Sequence, residues 1–503
     1  MNSLVVYRSR TGDSLDKEGL KFLSSVQADS HLLYYDILGS EAHIIMLHER
    51  GILSASNIRR LLVELERIRK NPKVMSTEGY EDIHESIEAH LISQLGYDVG
   101  GVLQTARSRN DQVILDIRMM IRDYINKISL AILRLISALL SKCKDNFRSI
   151  MPLYTHLQHA QLGTLSHFLL SYIDGLFRDL DRLDGVYNRI NNSPLGACAI
   201  GGTSIGIDRS RTASLLGFKG IITNSIDATT SRDDLIEFVS SLTILMLNLS
   251  RIAEDFILWS TSEFGYVEVP DNYSSTSSLM PQKKNPDVLE LIRAKTAVVS
   301  SNLFSIISII KGLPSGYSRD LQELKPELIR ASGLVQDSLG ILAGLVINLK
   351  ISNSRVKEAA RNSYAIAVDI AERLVLEKGI SFRSAHFIVG SLVRKAVLKG
   401  NMPLSKLTHS EIRSILPKTH PQIYPRDLFT IIQNMSPEKS IELRRSFGSP
   451  SLIEQKNHFG IVVERKKRYE QQTLEREKHL ASALTNLLNM VESCKKKRTH
   501  CNE

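Results

Sequence analysis

The chain has 503 residues, too many for one small hydrophobic core, so two or three domains are expected. Apolar residues make up 43% of it, as in ordinary soluble proteins, and no stretch approaches the roughly 18 apolar residues of a membrane span. Four scattered cysteines favour a reducing cytoplasm, and residues 1–13 lack an export pattern. The net charge of +10 is compatible with nucleic acid or with a small polyanionic substrate, and no zinc-finger or RNA-binding motif favours nucleic acid.

The first hundred residues are predicted to form helices with short breaks between them. Residues 35–49 carry apolar side chains at helical spacing. Glu81 and Asp82 are predicted to open a later helix, because acidic residues favour the positive end of the helix dipole. A lone histidine on such a helix, here His84, is usually structural, so residue type alone assigns it no function.

A cluster rich in hydrogen-bond donors precedes the first long helix. It lies within Thr105–Val113 and includes Arg107, Ser108, Arg109 and Asn110. An arginine can bind a carboxylate through two parallel hydrogen bonds, so the cluster is a candidate substrate-binding segment. The alternative is a charged helix start, in which Ser108 or Asn110 caps the helix and the arginines face water.

Four long segments are predicted to be helices. Three of them contain neither Gly nor Pro, and the fourth begins with a proline and contains glycines. They are rich in Leu and Ile around much of the helix, so they must be buried on more than one face. A long bundle inside an oligomer satisfies this requirement. The segments are Gln112–Lys144, Arg232–Glu263, Val288–Lys311 and Pro326–Lys350.

Two histidines lie between the first two long helices, in the segment Met151–Gln161. His156 is the best candidate for a side chain that carries a proton at neutral pH. Its neighbour His159 leaves the choice ambiguous when only residue type is considered.

A hydroxyl-rich loop occupies residues 274–290. Its five leading hydroxyl side chains compete for backbone hydrogen bonds and disfavour a helix. Asn285 is predicted to cap the next helix, with Pro286 at the first helical position. The loop therefore places hydroxyls, Lys283, Lys284 and free N–H groups together, which suits an anion. The alternative is a flexible connector.

The last part of the chain changes in character. Residues 317–326 form a charged turn between long helices, and shorter helices follow from about residue 353. Residues 462–503 form a charged, helical extension. The basic run at 495–498 is predicted to be solvated, since a lysine run usually is.

The loop resembles a known catalytic segment. Residues 276–287 read Thr-Ser-Ser-Leu-Met-Pro-Gln-Lys-Lys-Asn-Pro-Asp. They resemble the mobile catalytic loop of the fumarase/aspartase superfamily, usually Gly-Ser-Ser-x-Met-Pro-x-Lys-x-Asn. The Gln-Lys-Lys-Asn-Pro-Asp version is similar to that of the argininosuccinate lyases. Other segments resemble motifs of the same family: Asp36–His43, Glu81–His84, Arg107–Val113, Thr155–Gln161, Asn224–Asp227, Tyr317–Lys325 and Gly379–His386.

Four positions depart from the family's pattern. Gln104 stands in place of a histidine, and Ala106, Cys198 and Thr276 stand in place of glycines. Glycine adopts backbone angles that other residues do not, so the loop at Thr276 is expected to sit or move differently. Cys198 is interpreted as a packing residue, because no base is evident beside it.

The resemblance implies an all-α fold, with three mostly helical domains and a central bundle of long helices, as in fumarase and aspartase. We expect an N-terminal helical domain at 1–106 and a central bundle at 107–352, with the catalytic loop at 272–286. A C-terminal helical domain at 353–450 and a charged extension at 451–503 complete the chain.

The activity implied by the resemblance is the reversible elimination of argininosuccinate to L-arginine and fumarate, the last step of arginine biosynthesis. Elimination needs a base, groups that hold the carboxylate bearing developing charge, and an acid for the departing nitrogen. A serine is a poor base unless positive charge and amide donors stabilise its alkoxide. The resemblance makes Ser277 the base, with Lys283 and Asn285 holding the fumarate portion. It places His156, paired with Glu290, on the acid side or as a group that tunes the site.

The resemblance also implies which residues bind the rest of the substrate. Tyr317, Gln322 and Lys325 hold its amino-acid end. No cofactor or metal is expected, because the sequence has no dinucleotide-binding, phosphate-loop or zinc motif and acid–base elimination requires none. The remaining implied binding residues are Ser108, Arg109, Asn110, Thr155 and His84.

Two alternatives stay open at this point. One is another fumarate-releasing lyase, although fumarases and aspartases usually read Met-Pro-Gly-Lys-Val-Asn and adenylosuccinate lyases Met-Pro-His-Lys-x-Asn. The other is a non-catalytic, crystallin-like homologue, which retention of Ser277, His156 and Lys283 disfavours.

Helix lengths predict an assembly. Antiparallel helices of about 30 residues, roughly 45 Å long, place Arg109 and residues 317–325 at one end of the bundle and His156 and Ser277 at the other. Groups that meet on one small substrate would then lie tens of ångströms apart in one chain. The geometry requires at least two chains, and the resemblance implies a homotetramer whose sites each draw on three.

Overall fold

Helices make up 71% of the described residues in the computed structural model, and strands are few among them. The prediction of an all-α fold is confirmed. The structure describes residues 15–416 and 422–496. Residues 1–13, whose sequence lacks an export pattern, lie outside the described residues.

The N-terminal part is a set of helices joined by short turns. Asp82 caps the fifth helix by accepting a hydrogen bond from the Glu85 N–H group at 2.8 Å. The helices are α1 (Lys17–Leu23), α2 (Val26–Asp29), α3 (Leu33–Glu49), α4 (Ala55–Lys70), α5 (Ile83–Leu95) and α6 (Tyr97–Gly100), with 3-10 turns at Pro72–Val74 and Gly101–Gln104.

The central part holds five long helices and several short strands. The helices are α7 (Arg109–Asp145), α8 (Leu165–Ile190), α9 (Arg209–Leu215), α10 (Ser225–Thr230), α11 (Asp233–Ser260), α12 (Asp287–Ile310) and α13 (Leu324–Asn348). The strands are β1 (Ile150–Thr155), β2 (Gln158–Thr164), β3 (Asn192–Ser193), β4 (Gly220–Ile221), β5 (Val267–Glu268), β6 (Ser275–Thr276), β7 (Lys284–Asn285) and β8 (Lys350–Ile351), and 3-10 turns lie at Asp271–Tyr273 and Arg319–Glu323.

The five long helices α7, α8, α11, α12 and α13 pack against one another around a large apolar core. The core includes fully buried Phe177, Phe238 and Phe256. All four predicted long helices are therefore present. At 1.5 Å per residue, the 37 residues of α7 span roughly 55 Å, which sets the length of the bundle.

The C-terminal part contains shorter helices and one very long one. They are α14 (Asn353–Asn362), α15 (Ala367–Lys378), α16 (Phe382–Leu398), α17 (His409–Ile415), α18 (Pro425–Asn434), α19 (Pro437–Leu443) and α20 (Leu452–Lys496), with a 3-10 turn at Leu404–Lys406.

Helix α20 is the charged extension, and it packs back along α7, α8 and α4. Arg465 pairs with Asp181 at 2.6 Å, and Lys495 pairs with Glu66. The prediction of a solvated basic run is therefore wrong for Lys495, because α20 carries it onto an acidic residue of α4. Residues 497–498 of that run lie outside the described residues.

The buried apolar side chains of the described residues form three large clusters and one small one. The N-terminal cluster also takes in Leu195 and Phe218 from the central part and Leu487 and Val491 from α20. The domain limits predicted at 106, 352 and 450 stay predictions, because the N-terminal cluster contains residues of the N-terminal part, the central part and α20.

Three helical segments are long and apolar enough to cross a membrane, judged by length and composition alone: Arg109–Asp145, Asp233–Ser260 and Arg319–Asn348. The expectation that no stretch approaches this length was wrong. Their apolarity serves packing in the bundle, where 61%, 56% and 50% of the three apolar windows are buried within the chain.

Two contacts define what we call the first end of the bundle, where α7 begins. Arg118 of α7 pairs with Asp234 at the start of α11. The N–H group of Gly316, in the connection after α12, donates to the Thr230 hydroxyl at 2.9 Å. The starts of α7 and α11 and the residues after α12 therefore lie together.

The second end of the bundle is where α7 finishes. Lys142 donates to the Leu349 carbonyl at 2.8 Å, which brings the end of α13 to this point. The hydroxyls of Tyr154, on strand β1, and Tyr266, after α11, are 2.5 Å apart. The β1–β2 hairpin and the segment leading into the hydroxyl-rich loop therefore lie at this end.

Candidate active site

One cavity of about 190 Å³ lies at the first end of the bundle. It brings together six residues that the sequence assigned to substrate binding, although they come from α5, the start of α7, the turn after α12 and the start of α13. They are His84, Arg109, Asn110, Tyr317, Gln322 and Lys325.

Charged groups of both signs line this cavity. Arg109 pairs with the Asp82 carboxylate at 2.8 Å. Lys325 is 3% exposed and pairs with Asp29, which is fully buried. A buried lysine needs such a partner, because an unpaired charge away from water is costly. The wall therefore offers ammonium, guanidinium and carboxylate groups within one small space.

Four residues in or beside the cavity were not singled out from the sequence as binding residues. Ser25 and Asp29 come from the segment that forms α2, and Ser25 donates to Asp29 at 2.6 Å. Asp82 was interpreted only as a helix-start acid, and Arg319 only as part of a matching turn. Arg319 pairs with Glu81 at 2.9 Å, so the turn after α12 is tied to α5 by charge.

The start of α7 settles the two interpretations of the donor-rich cluster. Ser108 is the N-cap, in a capping box with Asp111, so it does not line the cavity. Asn110 donates to the Ala199 carbonyl at 2.9 Å. Arg107 is buried and donates to Ser40 at 2.9 Å, and Arg109 pairs with Asp82. These arginines are thus bound within the fold and do not simply face water.

His156 occupies the tip of the β1–β2 hairpin at the second end. The hairpin was not foreseen. Thr155 pairs with Gln158 across it, so His156 and Leu157 form a two-residue loop with φ values of 54° and 57°. Such a turn requires positive φ at both positions, which residues other than Gly, Asn and Asp adopt at a cost. Among the described residues, no hydrogen bond or ion pair involves His156.

Ser277 lies in the hydroxyl-rich loop, also at the second end. Its Oγ accepts hydrogen bonds from the N–H groups of Leu279 at 3.2 Å and Met280 at 3.0 Å. Two amide donors aimed at one hydroxyl oxygen stabilise negative charge on that oxygen. The loop therefore supplies the amide donors that a serine base needs.

The base of the loop is a short antiparallel pair, β6 with β7. Asn285 lies in β7 and donates to Ser275 at 3.4 Å, and α12 begins after Pro286. The prediction that Asn285 caps α12 was wrong, because strand pairing holds it extended. Lys284 pairs with Asp271 at 2.6 Å, while Lys283 is exposed and forms no ion pair with any described residue.

Glu290 lies in the first turn of α12, exposed, with Arg293 at 4.0 Å. Within the described residues of one chain, no contact joins Glu290 to His156. Thr155, His156 and the loop with Ser277, Lys283 and Asn285 are thus at the second end, while the cavity residues are at the first.

Comparison with known proteins identifies the family. A family model described as Lyase matches residues 46–300, and one described as Argininosuccinate lyase C-terminal matches residues 364–442. The argininosuccinate lyase of Nitrosopumilus maritimus is 46% identical over 487 residues, covering 97% of this chain and 99% of that protein. The chain belongs to the argininosuccinate lyase family. Like the other members, it is a lyase.

Further relatives agree with this assignment. The argininosuccinate lyase of Methanosarcina acetivorans is 38% identical over 496 residues, covering 98% of this chain and 100% of that protein. Among solved structures, EDDS lyase in complex with formate has a TM-score of 0.84 at 29% identity, covering 93% of this chain and 92% of that one. The class II fumarase of Schistosoma mansoni, at 15% identity and a TM-score of 0.62 over 79% and 90% of the two chains, shares the fold.

Two of the glycine replacements in this member of the family have a structural consequence. Ala106 and Cys198 have φ values of 56° and 55°, in the left-handed region that favours glycine. They touch, because the Cys198 thiol donates to the Ala106 carbonyl at 3.2 Å. Thr276, by contrast, lies in strand β6 and is not among the residues with positive φ, so its backbone has no left-handed strain.

We expect Ala106→Gly to stabilise the protein by about 0.5–1 kcal/mol, because relief of the left-handed strain exceeds the added freedom of the unfolded chain. The shift in the midpoint of chemical denaturation measures it. The matched control is Ala199→Gly, at a position outside the set with positive φ, which should destabilise or leave stability unchanged. Equal effects of the two changes would contradict the strain at Ala106.

Proposed function

We propose that the chain catalyses the reversible elimination of argininosuccinate to L-arginine and fumarate, with Ser277 as the base. The observation that carries the assignment of the base is the pair of N–H groups, from Leu279 and Met280, that donate to Ser277 Oγ. A serine hydroxyl gives up its proton and becomes a base only where such donors and positive charge stabilise the alkoxide. Lys283 is exposed on the same loop, and it supplies the positive charge when the loop closes over bound substrate.

The reaction balances without a co-reactant. Ser277 takes a proton from the succinyl carbon next to the carbon that bears nitrogen. The electron pair of that C–H bond becomes the second bond of the fumarate C=C, and the C–N bond breaks. His156, paired with Glu290 and seated beside Thr155, protonates the departing guanidino nitrogen or tunes its environment. Lys283 and Asn285 hold the carboxylate on which negative charge develops.

The cavity at the first end suits the amino-acid end of argininosuccinate. An α-amino acid group is a zwitterion, so it needs a cation for its carboxylate and an anion for its ammonium. Arg109 and Lys325 line the cavity of about 190 Å³ and supply cations, and Asp82 lines it and supplies an anion. Asn110, Tyr317 and Gln322 add neutral hydrogen-bonding groups, and Ser108 fixes the start of α7.

We propose a homotetramer whose sites each combine the first end of one chain with the second ends of others. Two observations support this. The Ser277 loop and the cavity belong to opposite ends of a bundle roughly 55 Å long. Large apolar side chains are also exposed along the bundle helices, which is unfavourable for a lone chain; examples are Leu247 at 51%, Leu291 at 55%, Phe304 at 73% and Ile347 at 59%.

We place the enzyme in the cytoplasm, at the last step of arginine biosynthesis. The four cysteines include three described ones, Cys143, Cys198 and Cys494, and none of these is in a disulfide. Burial raises the pKa of the Cys143 thiol to about 12, so it is an unreactive core residue. We expect no cofactor, no nucleic acid and no membrane as partners of this reaction.

A fumarate assay tests the proposal and separates it from the alternatives. Absorbance of fumarate should rise when the purified protein meets argininosuccinate and stay flat with adenylosuccinate, aspartate or malate. A rise with one of those three would assign the chain to another lyase of the superfamily. No rise with argininosuccinate or with any of those three would make it a non-catalytic homologue.

A further inference from the structure

A buried ionic cluster lies directly behind the cavity at the first end. Asp36 of α3 accepts a hydrogen bond from Nδ1 of His84 on α5. Gln112 of α7 donates to the same carboxylate oxygen at 2.7 Å, and Ser40 donates to the other oxygen at 3.2 Å. All four side chains are at most 2% exposed. Three helices thus meet on the Asp36 carboxylate and fix its orientation.

The His84 ring has one nitrogen with a partner and one without. Nδ1 is bound by Asp36, so Nε2 lies on the far edge of the ring. Among the described residues, Nε2 is buried and has no hydrogen-bond partner. His84 also lines the cavity beside Arg109 and Lys325. A buried polar atom without a partner is costly, so this nitrogen fits a ligand that completes the cavity.

The charges around His84 favour its protonated form. Burial of the ring opposes charge, but the Asp36 carboxylate overcomes this and raises the pKa of His84 above its usual value. Asp82 and Asp29 act in the same direction. Burial, and next the neighbouring Asp36 carboxylate, raise the pKa of Asp116, 3.9 Å from Nδ1, well above its usual range, which disfavours a second negative charge there. These charges favour the imidazolium form, in which Nε2 carries a proton that it can donate.

We propose that Asp36 is a positioning residue, which holds His84 so that Nε2–H donates to the carboxylate at the amino-acid end of argininosuccinate. The inference rests on the proposed function and adds a residue that does not itself touch substrate. Asp36 acts through His84, as a carboxylate that fixes the orientation and charge of an imidazole does elsewhere in proteins. Arg107, which contacts Ser40, completes the support from the other side of the cluster.

The reverse reaction isolates this role, because L-arginine and fumarate are then separate substrates. Asp36→Asn keeps the shape of the side chain but removes its charge, so the imidazolium loses the carboxylate that stabilises it most. The half-saturating concentration of L-arginine should rise roughly 10- to 100-fold, as for loss of a charged hydrogen bond. The half-saturating concentration of fumarate should change by less than about twofold, because fumarate does not reach His84. Consumption of fumarate, followed by its absorbance, gives both values.

A double-mutant cycle shows whether Asp36 acts through His84. His84→Gln should raise the same constant for L-arginine, and the double variant should be no worse than His84→Gln alone. Independent, multiplying effects would overturn the proposal, as would equal changes in the constants for both substrates.

The matched control is Asp116→Asn, which changes an equally buried carboxyl in the same cluster, one whose raised pKa disfavours its charge. It should leave the L-arginine constant unchanged; a rise equal to that of Asp36→Asn would overturn the proposal. If Asp36→Asn does not yield a folded oligomer, Ser40→Ala makes the test, because it removes the donor to Asp36 at 3.2 Å. A severalfold rise for L-arginine alone supports the proposal, and no change overturns it.

Failure of this inference is distinguishable from failure of the proposed function. If the wild-type protein consumes no fumarate in the presence of L-arginine, the proposed function is wrong. If it does so and Asp36→Asn leaves both constants unchanged, the positioning role alone is wrong.

Discussion

Ser277→Ala is expected to reduce fumarate release by about 10²- to 10⁴-fold, the range over which a positioned base contributes to catalysis. The alanine leaves the N–H groups of Leu279 and Met280 in place but removes the oxygen on which they converge. Folding should be intact, because Ser277 lies on a surface loop and supports only a local turn. The initial rate with saturating argininosuccinate measures the effect.

Two controls make this result specific. Ser278→Ala removes the adjacent hydroxyl, which is exposed, and should retain nearly full activity. Inhibition of the residual rate by L-arginine shows that the cavity at the first end still binds, since it lies far from the loop. If Ser277→Ala keeps more than a few per cent of the wild-type rate, Ser277 is not the base, and His156 becomes the candidate.

The long helices were predictable because their signals are local. Residues 112–144 contain no Gly or Pro and are apolar around much of the helix, and α7 covers this whole segment. Its start at Arg109 follows from Ser108, one of the two caps that the sequence offered. Only the choice between Ser108 and Asn110 needed the structure.

The hairpin that carries His156 was not predictable in the same way. A two-residue hairpin loop is signalled by Asn-Gly or a similar pair, whereas this one is His156-Leu157 with both φ values positive. The rest of the fold imposes this turn, although His-Leu does not favour it. Backbone strain of this kind collects at functional positions, where the surrounding structure maintains it.

Asn285 shows the opposite error, in which a clear local signal was overruled. Asn-Pro-Asp is a good helix start, but pairing of β6 with β7 keeps Asn285 in a strand. The side chain consequently points toward Ser275 rather than capping α12. Contacts across the loop decided its conformation, and no window of the sequence shows them.

About half of the cavity wall could be assigned from motifs, and the rest could not. Asp29 and Lys325 form a buried ion pair although they are 296 residues apart in the sequence. Asp29 lies in a four-residue helix with no distinctive pattern around it. Its role follows only from its pairing with the Lys325 ammonium, a contact that exists only in the folded chain.

The proposed sharing of each site among three chains of the tetramer leads to the second large effect. His156→Asn removes the proton carrier from the hairpin tip, so like Ser277→Ala it should be nearly inactive on its own. In the proposed tetramer, the Ser277 loop and the His156 hairpin of one site come from different chains. A site formed by the loop of one variant and the hairpin of the other then contains neither lesion.

Unfolding the two inactive variants together and refolding them should therefore restore activity. If chains mix at random in equal amounts, the chance that both contributors to a site are intact is one half times one half. The expected recovery is about a quarter of the wild-type specific activity. Each variant refolded alone stays inactive and serves as the control, and distinct tags on the two chains verify that mixed oligomers formed. Verified mixed oligomers without activity would place Ser277 and His156 of each site in one chain, and a fully active wild-type monomer by light scattering would contradict shared sites altogether.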